Sequence, residues 1–339
     1  MTEKLDMAFT VGASRIGADE PPYFIAEAGS NFDQDLGTAK RLIDIAVDAG
    51  AQAIKFQLFR ADALYPDGGD MHAAFKAVEL NPDWVPKLVQ HATEQGITFL
   101  ASAFDLDSVE LLESLDVAAH KIASSETTNL PLLDQIAATG RPLFLSTGMC
   151  DLIDVQEAVA RCLARGNAQI ALLQCGAMYP LPPQCAHLRV MDLFRNVFEA
   201  PVGFSDHSLG THVTLAAIAR GANVIEKHFT HDRSADGPDH FYALEPSELK
   251  QLISNSRDIY AALGTAQKEM LPSEREYGRR DGLYTAHEIP ADAVLTAADI
   301  EVRRPAIGLR ARYRDTVIGM RAVRAIAAGT PLYWDDLRP

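Results

Sequence analysis

The sequence predicts an α/β protein: a (β/α)8 barrel, the TIM-barrel architecture, followed by a small β-rich domain. Three observations carry this reading. Short apolar, β-rich runs alternate with helix-period segments from Tyr23 to about Leu263. Nearly every run closes on a polar residue. The texture of the chain then changes after Gly264. At 339 residues the chain exceeds one average domain and suits a full barrel with an appendage.

Eight strand candidates appear in order: YFIAEAG from Tyr23, AIKFQ from Ala53, ITFLASAF from Ile97, AHKIAS from Ala119, PLFLSTG from Pro142, IALLQCG from Ile170, VGFSDH from Val202 and VIEKHF from Val224. Each precedes a plausible helix. In the first helix, Leu36, Ala39, Leu42, Ile43, Ala46 and Val47 recur at helical spacing, and Gly50 is a C-terminal stop. Eight such units favour a closed barrel. An open doubly wound sheet is the alternative, but no GxGxxG follows the first strand and there is no P-loop.

The expected boundaries are 1–264 for the barrel, 265–282 for a linker rich in Lys, Glu, Arg and Ser, and 283–339 for the β-rich domain. That last piece carries a weak internal repeat, EIPADAVLTAADI from Glu288 and AIAAGTPLYWDDL from Ala325. So small a unit has little core of its own and is expected to lean on another surface.

Composition narrows the function. A hydrophobic fraction of 47% and a charged fraction of 23% are those of an ordinary soluble globular protein. Acidic residues outnumber basic ones 46 to 31, a formal charge of -15 that disfavours nucleic acid and anionic membranes as partners. Cys150, Cys162, Cys175 and Cys185 form no CxxC pair, so reduced thiols are expected. The N-terminus lacks a signal-peptide pattern and no apolar stretch reaches ~18 residues, which points to a cytoplasmic, soluble protein.

A (β/α)8 barrel builds its active site at the C-terminal ends of its strands, so the polar residues there are the candidates. Glu27 closes the first strand, Lys55 the second, Ser102 the third, Lys121 and Ser124 the fourth and Ser146 the fifth; Tyr179 follows the sixth. Asp206 and His207 close the seventh, Glu226 and His228 the eighth. His207 and His228 sit at matching ends of neighbouring strands, where two imidazoles can share one divalent metal. The competing reading is a pair of hydrogen-bonded strand-end histidines. Glu226 and His228 share a strand face and Lys227 points away. Lys55, Lys121, Ser102, Ser124 and Ser146 offer cationic and hydroxyl donors suited to a phosphate. Lys55 and Glu27 lie inside apolar strands, where a charge without a partner is rarely tolerated. Glu27 is a candidate acid or base, and the loop DGPDH, Asp236 to His240, would bring Asp239 to the mouth.

The segments IAEAGSN, AGAQAIKFQ, HKIASSE, LFLSTGM, QCGAMYP, GFSDHSLG, VIEKHFT and GPDH, in this order, resemble the sialic acid synthase (N-acetylneuraminate synthase) family. RRPAIG followed by VIGMRAVRAIAAGTPL resembles that family's C-terminal antifreeze-like domain, a β-clip fold. The resemblance implies condensation of phosphoenolpyruvate with N-acetylmannosamine or a related amino-sugar aldehyde, with release of phosphate. It implies a divalent cation, usually Mn2+ with Mg2+ or Co2+ as alternatives, held by His207 and His228. It assigns Lys55, Ser102, Lys121, Ser124 and Ser146 to phosphoenolpyruvate, with Ser205 and Tyr179 in the same substrate pocket. Glu27, Glu126 and Asp239 fall where the family places its carboxylates. Arg304 matches an arginine offered to the sugar's N-acyl group, in trans, within a domain-swapped homodimer. Where the family usually has His-Cys-Thr the sequence reads Gln174, Cys175 and Gly176, departing at the first and third positions, and Ala177 replaces an asparagine. The competing functions are a (β/α)8 aldolase or 3-deoxy-aldulosonate synthase, and a non-catalytic sugar-binding barrel.

Overall fold

The structure is a computed structural model that describes residues 4–276 and 280–339. The chain divides into two compact units, Met1–Gly264 and Thr265–Pro339. Part of the expected linker, residues 277–279, lies outside the described residues.

The first unit opens with an antiparallel hairpin, β1 (Ala8–Val11) and β2 (Ser14–Gly17). Eight strands follow: β3 (Tyr23–Gly29), β4 (Ala53–Leu58), β5 (Thr98–Ala103), β6 (His120–Ile122), β7 (Leu143–Ser146), β8 (Ile170–Cys175), β9 (Val202–Asp206) and β10 (Val224–His228). All pair in parallel, and β10 closes onto β3 to complete the barrel. These are the eight runs singled out in the sequence.

Period-2 alternation divides each strand between two cores. Outward residues such as Phe24, Ala26, Ile54 and Phe56 pack against the helices. Inward residues Tyr23, Ile25, Ala53, Leu100, Phe144, Leu173 and Val224 fill the lower barrel, where Phe9, Val11 and Ile16 of the hairpin join them. The hairpin therefore packs into the core at the barrel's N-terminal end. It was missed in the sequence because each of its strands is only four residues long. Its alternation of buried Phe9, Val11 and Ile16 with exposed Thr10 and Arg15 was there to be seen.

The helix Leu36–Ala49 shows how local signals set an element's ends. The Asp35 carboxylate accepts the Thr38 N–H at 2.7 Å, and Gly50 takes the left-handed conformation at φ 84°. Its buried face is Ala39, Leu42, Ile43, Ala46 and Ala49, while Leu36 and Val47 are only partly buried.

In the second unit, β11 (Gly282–Thr285) pairs with β12 (Ile300–Arg303), and β13 (Arg321–Ala322) with β14 (Leu337–Arg338). The sequence repeat is visible here. Ile289 and Ile326 exchange both backbone hydrogen bonds at 2.8 Å, and the carboxylates of Asp299 and Asp336 accept the N–H groups of Thr296 and Tyr333 at equivalent turns. The unit has its own small core, including Leu283, Leu295, Val317 and Leu332.

Candidate active site

The inward alternation that packs the lower barrel with apolar side chains places charged ones on the rungs above. Glu27, Lys55, Lys121 and Glu226 are each less than a tenth exposed. Burying four ionisable groups is costly unless they are paired, and they are. Lys55 Nζ lies 2.9 Å from Glu27 Oε2 and 3.6 Å from Glu226 Oε1, and Lys121 Nζ lies 3.6 Å from Glu226 Oε2. Hydroxyls and an amide complete the network. Lys55 donates to Ser102 Oγ at 3.2 Å, Lys121 to Ser146 Oγ at 2.8 Å, Ser205 Oγ to Glu226 at 3.0 Å and Gln57 Nε2 to Glu27 at 3.0 Å.

The two carboxyls are driven apart. Burial pushes Glu27 well above the ordinary carboxylate range, although Lys55 opposes it. Burial acts on Glu226 in the same sense, but Lys121 and Lys55 together outweigh it and hold Glu226 low. Both lysines face the cavity beside the two carboxyls, so the floor offers ammonium donors to an anionic ligand.

His207 and His228 face each other with ring centroids 5.3 Å apart. Their outer nitrogens are committed. His207 Nδ1 donates to the Gly176 carbonyl at 2.9 Å. The Tyr242 hydroxyl donates to Asp239 Oδ1 at 2.7 Å, so its oxygen accepts from His228 Nδ1 at 3.2 Å. Both Nε2 atoms are then free to offer a lone pair. Burial depresses His228 to about 4, so its ring is neutral near pH 7, as a ligand must be. Among the described residues no set of three or more His, Cys, Asp or Glu side chains is arranged to hold a cation. Two facing imidazoles whose outer nitrogens are already hydrogen-bonded fit a divalent cation in their donor chemistry.

Asp239 stands behind His228. Its Oδ2 accepts the Ser30 N–H at 3.0 Å and the Ser30 hydroxyl at 2.9 Å. Gly29, at φ 55°, permits this approach: a Cβ there would fall 2.5 Å from Asp239 Oδ2 and 3.1 Å from the His228 ring. Tyr179 lays its ring 4.1 Å from that of His207.

A cavity of ≈ 460 Å³ gathers these groups, lined by Glu27, Lys55, Ser102, Lys121, Ser124, Glu126, Ser146, Tyr179, Ser205, His207 and His228. Every site residue expected from the sequence lines it except Asp239, which sits one shell back, and Arg304, which belongs to the second unit. Arg304 is exposed there, its Nε 2.8 Å from Asp281. Lining residues that were not among the candidates include Gln57, Leu64, Tyr65, Phe75, Phe104 and Cys175. Gln57 was detectable, two residues beyond Lys55 on the same strand face. Cys175 lies 3.9 Å from His207 Nδ1. The departures from the family pattern have structural roles, since Gln174 donates to the Ala186 carbonyl at 3.1 Å and a Cβ on Gly176 would strike Leu181 at 2.5 Å. All four cysteines are free. Among the described residues no helix is long and apolar enough to cross a membrane.

A closed (β/α)8 barrel with buried lysines, hydroxyls and paired imidazoles at its strand ends defines a metabolic enzyme acting on an anionic small molecule. The NeuB family profile matches residues 42–268 and the SAF domain profile residues 280–338. The chain belongs to the NeuB family. It is 35% identical to N,N'-diacetyllegionaminic acid synthase of Legionella pneumophila, over 95% of this chain and 96% of that one. The crystal structure of spore coat polysaccharide biosynthesis protein SpsE from Bacillus subtilis is 37% identical, covers 98% of this chain and 99% of its own, and superposes with a TM-score of 0.70. The N-acetylneuraminic acid synthetase of Leptospira borgpetersenii, crystallised with citrate, is 33% identical over 81% of this chain and 96% of its own, with a TM-score of 0.76.

Proposed function

We propose that the protein condenses phosphoenolpyruvate with an N-acylated amino-sugar aldehyde to give a sialic-acid-like nonulosonate and inorganic phosphate. The observation that supports this most is the buried Lys55, Lys121, Glu27 and Glu226 floor beside two facing imidazoles. It combines cations for a phosphate and a carboxylate with a carboxyl that can carry a proton.

Lys55 and Lys121, with Ser102, Ser124 and Ser146, hold the phosphate and carboxylate of phosphoenolpyruvate. His207 and His228 hold a divalent cation, Mn2+ by preference, which when bound polarises a carbonyl oxygen. The enol carbon attacks the aldehyde carbon to form the new C–C bond, and the aldehyde oxygen takes up a proton. Positive charge then develops at the enol-ether carbon, and ionised Glu226 lies in the floor to stabilise it. Water adds to that carbon, Glu27 moves the proton, and the C–O bond to phosphate breaks. Glu126 orients the water and the sugar hydroxyls, Asp239 positions His228 through Tyr242, and Ser205 and Tyr179 complete the pocket. The expected result is stoichiometric phosphate release from phosphoenolpyruvate with an amino-sugar aldehyde, and a product whose mass equals both substrates plus water minus phosphoric acid. No phosphate release with any member of a hexosamine aldehyde panel would refute the assignment.

Arg304 acts in trans within a domain-swapped dimer, where its planar guanidinium donates to the sugar's acyl carbonyl. Its exposure and its separate unit support that role. Arg304→Ala and Glu27→Gln are each expected to be inactive, and mixing them under subunit exchange is expected to restore activity, because one site of each hybrid dimer is intact. Mixing without recovery would place Arg304 in its own barrel's site.

A further inference from the structure

The barrel closes where its first and last strands meet, and β3 and β10, far apart in the chain, have no crossover connection to hold them there. The backbone ladder across this seam ends at the Glu27–His228 rung, with the Phe229 N–H donating to the Glu27 carbonyl at 3.0 Å. Above that rung side chains take over. Asn31 Nδ2 donates to the Phe229 carbonyl at 2.8 Å, and Ser30 holds Asp239 through its N–H and its hydroxyl. Asp33 makes the outermost tie. Its Oδ1 accepts from His240 Nε2 at 2.9 Å and its Oδ2 lies 3.3 Å from His231 Nε2, so one carboxylate grips both ends of the loop between the two histidines.

His240 is enclosed on every side that matters for its orientation. It is 1% exposed, its Nδ1 is 2.7 Å from the Thr230 hydroxyl, and a Cβ on Gly237 would fall 2.7 Å from its Cδ2. Both ring nitrogens are thus engaged. Asp33 at φ 53° and Gln34 at φ 52° take the left-handed conformation, which residues other than glycine keep only where surrounding contacts fix it. Asp33 and His240 both stand outside the cavity lining. What they hold is the relay behind His228: His240 opens the turn His240–Tyr242 directly after Asp239, so the latch flanks the two residues whose side chains orient that ring.

Resting on the cation site proposed above, we infer that Asp33 and His240 are positioning residues, which set the His228 imidazole for a divalent cation by fixing Asp239 and Tyr242 across the barrel seam. A ring free to turn loses that freedom each time a cation binds, so a latch that orders it beforehand raises affinity without touching the ion.

The test is a double-mutant cycle on the full-length protein freed of metal by chelator, with Mn2+ binding read from the electron paramagnetic resonance of the free ion. Asp33→Ala is expected to weaken Mn2+ binding about 10-fold, the low end of the range for an outer partner of a metal ligand, and to lower kcat. The KM for phosphoenolpyruvate, set by the lysines on β4 and β6, is expected to stay within about twofold. Asp33→Asn, whose amide oxygen still accepts from His240, is expected to recover most of the affinity. Added to Tyr242→Phe, Asp33→Ala is expected to cost nothing further, because the relay through which it acts is already broken. His240→Phe keeps the buried ring, removes both nitrogens and is expected to behave alike, which carries the test should Asp33→Ala fail to fold. Losses that multiply in the double variant, or unchanged Mn2+ affinity in the single ones, overturn the inference, while Mn2+ binding by the wild type leaves the histidine site standing. A wild type that binds no Mn2+ overturns both.

Discussion

His207→Ala and His228→Ala are each expected to lose divalent-cation binding and turnover while the barrel stays folded. Among the described residues the two rings are the only imidazoles lining the cavity, and their outer nitrogens are fixed by the Gly176 carbonyl and by Tyr242. Removing an outer-shell partner of a metal ligand costs ~10- to 100-fold in affinity or activity, and removing one of two protein ligands costs more. Tyr242→Phe supplies the internal scale. It breaks the Asp239–Tyr242–His228 relay without touching the rings, so its loss is expected in the 10- to 100-fold range. Metal analysis of purified protein, a titration with Mn2+ and a melting curve measure the three quantities separately. Either alanine variant that keeps both cation and full activity in excess chelator would remove the histidines from the cation site.

Lys227→Met is expected to destabilise the protein by ~3–5 kcal/mol, the cost of leaving a buried charge without its partner. Lys227 and Asp206 are each 1% exposed, on the outer face of adjacent strands, with Nζ 2.9 Å from Oδ2. Lys227 also donates to the Ser208 carbonyl, and Asp206 accepts from the Thr214 hydroxyl and the Ser208 N–H. The pair sits on the rung between Ser205–Glu226 and the two histidines, so it clamps β9 to β10 where they present the site. Adding Asp206→Asn to Lys227→Met is expected to recover part of the loss, because the amide oxygen still accepts from Ser208 without a charge. Urea unfolding of the three proteins measures this, and a single variant within ~1 kcal/mol of wild type would show that the clamp carries little.

Much of the site was readable before the fold. A charge inside an apolar strand needs a partner, and Glu27, Lys55, Lys121 and Glu226 each break such a run at the C-terminal end where a barrel works. Other parts gave weaker signals. Tyr65 and Phe75 look in sequence like ordinary helix and loop aromatics, Phe104 like the end of the third strand run, and Tyr242 lies in a short 3-10 turn with no motif of its own. Their roles arise from contacts across the mouth, which residue spacing along the chain does not encode.

The sequence by itself therefore determined the eight strands, their inward and outward faces and the roster of chemical groups, because alternation, helical period and desolvation are local rules acting within a few residues. Tertiary structure alone decided the pairing. Lys55 reaches Glu27 on a neighbouring strand and also Glu226, which is two strands away and becomes reachable only because β10 closes onto β3. The same closure sets Glu27 high and Glu226 low, since the sign of each shift depends on how many lysines stand beside a carboxyl inside the barrel. It also draws the β1–β2 hairpin into the lower core, where three apolar side chains find a surface that no local pattern specifies.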